Sequence, residues 1–190
     1  MRAFFCIPIE DATCRQIAQT SQQLRSSLRM RASWVPAENY HWTVRFLGEI
    51  EPMLTLDLER AAKTMAAEVL PFTLQIDRLG AFPSIQRARV IWAGGRSLEA
   101  FVNLVRGLNA EIESLGFEPE RRTPAAHVTL ARTKGVPDPK LATVIDELNP
   151  LGPFEAQCKR LVLMESQLGP GGARYDPLFD VPLVGRPGGR

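Results

Sequence analysis

Two short stretches of this chain, 86 residues apart, repeat one frame. His41-Trp42-Thr43-Val44 and His127-Val128-Thr129-Leu130 both read His-x-Thr-hydrophobic. Each follows a loop-like segment and is rich in aromatic or β-branched residues, so both are expected to be strands. Residues i and i+2 of a strand share a face. Each His therefore shares a face with its Thr, while Trp42, Val44, Val128 and Leu130 point the other way and anchor the strand in a core. The separation is wide enough for each strand to sit in its own lobe, with two imidazoles and two hydroxyls around one polar pocket. His41 and His127 are also the only histidines in the chain. A lone strand histidine is ordinarily structural, but chance rarely places both in one tripeptide frame.

The remaining sequence alternates strands with helices. Residues 4–9 read as a strand, and Asp11 caps a helix carrying Ile17, Leu24 and Leu28 on one face. Residues 34–36 are a loop, and the first histidine strand spans residues 40–47. Pro52 opens a helix with Leu58, Ala61, Met65 and Val69 in its stripe. Residues 72–79 alternate as a half-buried strand, residues 80–84 turn, and residues 89–93 form another strand. Ser97 caps the clearest helix, which runs to a C′ glycine at Gly116. After the second histidine strand, Asp138-Pro139 starts a short helix and residues 154–167 form one long strand. Residues 169–172 turn the chain into a last strand at 175–184. The pattern is α+β, with mainly antiparallel sheets and helices packed outside. Residues 1–184 form one domain of two lobes, and residues 185–190 a flexible tail.

Much chemistry is excluded by what is missing. Cys6, Cys14 and Cys158 are scattered, with no Cys-x-x-Cys pair and no neighbouring His, which rules out a zinc ribbon, a zinc finger or a thioredoxin-type motif. Gly169-Pro170-Gly171-Gly172 lacks the pattern of a nucleotide-binding loop, so no ATP site, metal or other cofactor is expected. The apolar N-terminal run is too short for a secretion signal, and no stretch approaches a membrane span. Sparse cysteines then suit a reducing cytoplasm. The net charge of +2 neither demands nor excludes nucleic acid. Only Lys63, Lys134, Lys140 and Lys159 are lysines. Arginine supplies the other basic residues and suits bidentate phosphate contacts, although genome composition explains such usage equally well.

Two imidazoles can serve one phosphate as base and acid, and threonine hydroxyls with an arginine can cradle its oxygens. Around this pair the chain resembles the two-histidine (2H) phosphoesterase superfamily, specifically the RNA 2′,3′-cyclic phosphodiesterases, also called 2′–5′ RNA ligases. The likeness rests on Phe4-Phe5, on residues 34–40 and on Phe46-Leu47-Gly48-Glu49. It continues through Gly80-Ala81-Phe82-Pro83, Arg89-Val90-Ile91-Trp92 and residues 127–132, and ends with Glu165-Ser166-x-Leu168 and Gly172-Ala173-Arg174-Tyr175. Family members often carry Pro directly before the second His; here Ala125-Ala126 stand there.

The resemblance implies a bilobal fold with a pseudo-twofold axis and a central cleft between two sheets. It implies metal-independent hydrolysis of RNA 2′,3′-cyclic phosphate ends, tRNA fragments among them, by a monomer, with 2′–5′ ligation as a related activity. In this reading His127 is the base and His41 the acid, and Thr43 and Thr129 bind phosphate. Arg132 joins them by its family position, but strand parity from His127 puts it on the opposite face unless the strand bends. Arg45 shares parity with His41, at the cleft or its solvated rim. Phe46 is read as core packing before base stacking. Arg87, Arg89, Arg121 and Arg122 could track an RNA backbone, though short charge clusters are usually just solvated. The rivals are a cyclic phosphodiesterase for small nucleotides and a non-catalytic RNA-end binding module.

Overall fold

The computed structural model describes residues 1–169 and 172–185. In chain order the elements are β1 (Arg2–Pro8), α1 (Asp11–Ser27), β2 (Ala32–Trp34), β3 (His41–Glu49), α2 (Thr55–Ala66), β4 (Phe72–Ile76) and β5 (Arg78–Phe82). They continue with β6 (Val90–Gly94), α3 (Glu99–Ser114), β7 (His127–Thr133), α4 (Leu141–Leu148), β8 (Phe154–Cys158), β9 (Arg160–Gly169) and β10 (Gly172–Pro182). All pairings among the described strands are antiparallel. One lobe carries the sheet β10-β9-β1-β3 and the other the sheet β2-β7-β6-β5. Helices α2 and α3 pack together against the first sheet, while α1 and α4 pack together on the other lobe, α4 against β5. The histidine strands β3 and β7 meet between the lobes. The expected α+β, two-lobed architecture is therefore present.

A third, two-stranded ladder, β4-β8, links the lobes. The two runs read as single strands, 72–79 and 154–167, are each broken by one residue. Asp77 gives its N–H to the Gly94 carbonyl and accepts from the Leu151 N–H. Lys159 accepts from the Leu183 N–H. Each break lets the chain leave the linking ladder and enter a large sheet, a change of partner that alternation alone does not reveal.

Three further expectations are corrected. Residues 80–82 continue β5 rather than turning, because Gly80 lies under the Trp92 indole: a Cβ there would come within 2.3 Å of a ring carbon. Trp34 is strand, paired with Ala131, and the Val35 N–H extends the ladder to the Leu130 carbonyl. Ser97 does not cap α3; Leu98 holds that position, and the Ser97 hydroxyl instead accepts the Ala126 N–H at 2.9 Å. Gly116 does follow the C-cap with φ +91°, the left-handed geometry glycine allows.

The core lies on the outward faces of the two sheets, against the helices. Trp42, Phe5, Phe101, Ile7 and Ile17 are among its largest fully buried side chains. A smaller apolar group, Phe4, Cys6 and Val162, sits on the other face of the first sheet, toward the cleft. All three cysteines are buried and unpaired. Among the described residues no helix is long and apolar enough to cross a membrane. The predicted tail, apart from Gly185, and the centre of the predicted turn (residues 170 and 171) lie outside the described residues.

Candidate active site

The two histidine strands share more than a tripeptide. Over their first seven residues β3 and β7 show the same sequence of half-buried, buried and exposed positions. The cause is a β-bulge at the same place in each. In the β1–β3 ladder Phe5 pairs with Arg45 and Cys6 with Thr43, leaving Val44 as the extra residue. In the β6–β7 ladder Ile91 pairs with Ala131 and Trp92 with Thr129, leaving Leu130 extra. One extra residue reverses the facing of everything after it. His and Thr keep their common face, the fourth residue after each His turns into the core, and the fifth comes onto the cleft face.

This settles three positions. Arg132 stands on the face of His127 and Thr129, because the strand does bend. Its charge acts on His41, His127 and Tyr175 alike, so it lies close to both lobes' contributions. It makes no ion pair among the described residues. Phe46, its counterpart on β3, is not core packing: it is 49% exposed and rests on Phe4 with ring centroids 5.8 Å apart. Arg45 is neither at the cleft nor on its rim; it is 6% exposed and faces the core.

The imidazoles are held in matching ways. His41 Nδ1 lies 2.8 Å from the Asn39 carbonyl, and His127 Nδ1 lies 2.8 Å from the Ala125 carbonyl. A carbonyl only accepts, so Nδ1 carries the proton and Nε2 of each neutral ring is left basic. The Thr43 hydroxyl donates to His41 Nε2 at 3.0 Å. Ala126, where relatives often have Pro, leaves this support intact. Its N–H, which Pro would lack, is the group bound by Ser97.

Burial pushes the His41 pKa down to about 4; the Asn39 carbonyl opposes this, and the charges of His127 and Arg132 add to it. His127 is lowered for the same first reason, with the Ala125 carbonyl opposing and Arg132 and Arg122 adding. Both rings are therefore neutral near pH 7 in the free protein.

Several neighbours were not legible in the sequence. Phe4 lies 5.0 Å from the His41 ring, and Tyr175 meets that ring edge-on at 5.4 Å. His41 and Tyr175 lie on the two edge strands of one sheet, so the sheet curls to bring them together. Asn39 fastens the curl by donating its side-chain amide to the Ala173 carbonyl at 2.8 Å. In the other lobe Phe82 stands edge-on to His127 at 5.0 Å and leans on Trp92.

Arg45 braces the approach to His127. Its Nη2 donates to the Glu118 carbonyl, and Nη1 lies 3.9 Å from Glu120. Glu120 in turn binds Arg122 through both carboxylate oxygens and accepts its backbone N–H. Of the four arginines read as backbone contacts, only Arg122 is seen to act on a site histidine. Arg87, Arg89 and Arg121 are exposed.

Paired imidazoles on facing strands of two lobes, with hydroxyls and an arginine beside them, define a two-histidine phosphoesterase site. The family described as LigT-like phosphoesterase matches residues 7–92 and 97–175, and the chain belongs to it. Among curated relatives, the RNA 2′,3′-cyclic phosphodiesterase of Methanothermobacter thermautotrophicus is 29% identical over 92% of this chain and 95% of its own length. The crystal structure of TT0787 of Thermus thermophilus is similar at 26% identity with a TM-score of 0.82, over 96% of this chain and 98% of that one. E. coli LigT complexed with 3′-AMP is similar at 26% identity with a TM-score of 0.73, again over 96% and 98% of the two chains.

Proposed function

We propose that this chain is a metal-independent RNA 2′,3′-cyclic phosphodiesterase that opens a terminal cyclic phosphate to a 2′-phosphate. The observation that carries the reading is the repeated support of the imidazoles. On two facing strands, Nδ1–H is tied to the carbonyl two residues back, which leaves Nε2 for chemistry. The printed function of the curated relatives supports the same reaction.

In the proposed step a water oxygen bonds to phosphorus while the P–O3′ bond breaks. His127 Nε2 takes the water proton and His41 Nε2 gives a proton to O3′, so a 2′-phosphomonoester remains. Thr129 and Arg132 hold the phosphoryl oxygens, and the Thr43 hydroxyl joins them once His41 is protonated. His41 is neutral in the free protein, so its proton arrives with the substrate. An anion a few ångströms away favours the imidazolium and restores the acid.

The partner in this reading is RNA with a cyclic phosphate end, tRNA fragments included, and the chain acts as a monomer in the cytoplasm. A 5′-hydroxyl in place of water would give a 2′–5′ junction through the same geometry. The test is an RNA oligonucleotide ending in a 2′,3′-cyclic phosphate, incubated with chelator, with the products separated by chromatography. A 2′-phosphate end is expected, formed faster than from a cyclic mononucleotide. No turnover, or a 3′-phosphate product, overturns the proposal.

A further inference from the structure

The phosphate cradle leaves unused a cavity of about 340 Å³ that opens against His41. Its sheet side is formed by Phe4, Met164 and Tyr175 with the edge of the His41 ring. Ala18 of α1 and Ala37 of the short turn before β3 stand on the opposite side. Thr43, Thr129, His127 and Arg132 are not among its lining residues. It is therefore adjacent to the place where a phosphate would meet both imidazoles, and separate from it.

The cavity differs in character from that place. Phe4 and Tyr175 present ring surfaces with centroids 4.9 Å apart at 74°, and Met164 adds a polarisable thioether. Such walls suit a flat group with an apolar face and do not suit a charge. The volume lies at the small end of the range for small-molecule pockets, roughly 300–1,000 Å³. Charged groups, Asp11 and Arg15, join the lining from the first turns of α1. A planar heterocycle could meet aromatic walls and polar edge groups there together.

We propose that this cavity is the subsite for the nucleobase of the terminal nucleotide. The inference rests on the proposed phosphodiesterase reading and adds a polarity to it. Attacking and leaving oxygens lie in line on opposite sides of phosphorus. The leaving O3′ belongs to the nucleoside, so the imidazole bordering the nucleoside's cavity is the one placed to protonate it. That imidazole is His41, which leaves His127 to the water on the far side.

The test compares kcat/KM for a nucleoside 2′,3′-cyclic phosphate with that for a base-free analogue, 1-O-methylribose 2′,3′-cyclic phosphate. The wild type is expected to favour the base-bearing substrate by about 10-fold or more, the scale of one stacked base. Ala18→Phe, which fills the cavity, is expected to collapse that ratio to near one. Because both substrates are measured on the same variant, a general loss of folded enzyme cancels from the ratio. Ala37→Phe serves as the second filling variant. Equal turnover of the two substrates by the wild type, or an unchanged ratio in both filled variants, overturns the base subsite while the phosphodiesterase reading stands. Turnover of neither substrate by the wild type overturns both.

Discussion

Acidifying the medium from about pH 7.5 to about pH 4.5 is predicted to cost the wild-type protein stability that a His41→Asn variant keeps. The free imidazole titrates near 6.5, and burial holds the folded His41 near 4. Between those values the unfolded chain binds a proton that the folded chain refuses, so stability rises with pH across the window. The contribution is complete above the unfolded pKa and is lost as pH falls toward the folded one. At 1.36 kcal/mol per pKa unit, the gap amounts to at most about 3 kcal/mol, reduced where water reaches the half-buried ring. His127 is shifted in the same direction and adds a smaller loss. The assay is urea unfolding of both proteins at several pH values across this window. Carboxylate titrations are common to both and cancel in the difference. A difference that grows by about 2–3 kcal/mol on acidification is expected. Parallel curves would refute the claim that His41 is held neutral. Adding inorganic phosphate is predicted to shrink the difference, because an anion at the site offsets the cost of the proton.

Three other outcomes follow from the packing. Glu120→Gln removes the countercharge of buried Arg45 and is expected to destabilise by roughly 1–3 kcal/mol, more than Arg45→Met, which removes the buried charge as well; thermal melts rank the two. Gly80→Ala forces a methyl into the Trp92 indole, next to Thr129 in the ladder, and is expected to cost about 1–3 kcal/mol and to lower activity; denaturant unfolding and initial rates measure both. Ala126→Pro, which restores the residue common in relatives, loses the hydrogen bond to Ser97 and is expected to cost about 1 kcal/mol, whereas in a Ser97→Ala background it costs less; a double-mutant cycle reads the coupling.

The period-2 rule worked for the three residues beginning at each histidine and failed just beyond them. His41 with Thr43, and His127 with Thr129, share faces as their spacing requires. Val44 and Leu130 then bulge, and neither is a glycine or proline that would announce it. The facing of Arg45, Phe46 and Arg132 was thus set by backbone geometry that ordinary aliphatic residues do not signal. The bulges recur at one offset, so a paired anomaly was present in the sequence, but only as two common hydrophobic residues. Long-range closure was equally hidden. Phe4 and Tyr175 reach His41 because a sheet curls and Asn39 clasps Ala173, and neither neighbour is near His41 in sequence. Residues 80–84 read as a turn from their glycine, proline and serine. The glycine instead makes room for an indole, and the chain turns only after Phe82.

The central claim is that both imidazoles act on one phosphate, and single-turnover kinetics of His41→Ala, His127→Ala and the double variant on a cyclic-phosphate RNA end test it most directly. Each single variant is predicted to lose about 10²–10⁴-fold in rate. The double variant is predicted to lose far less than the product of the two, as residues acting in one step do. A single variant that keeps most of the wild-type rate, with its fold intact, would contradict the account.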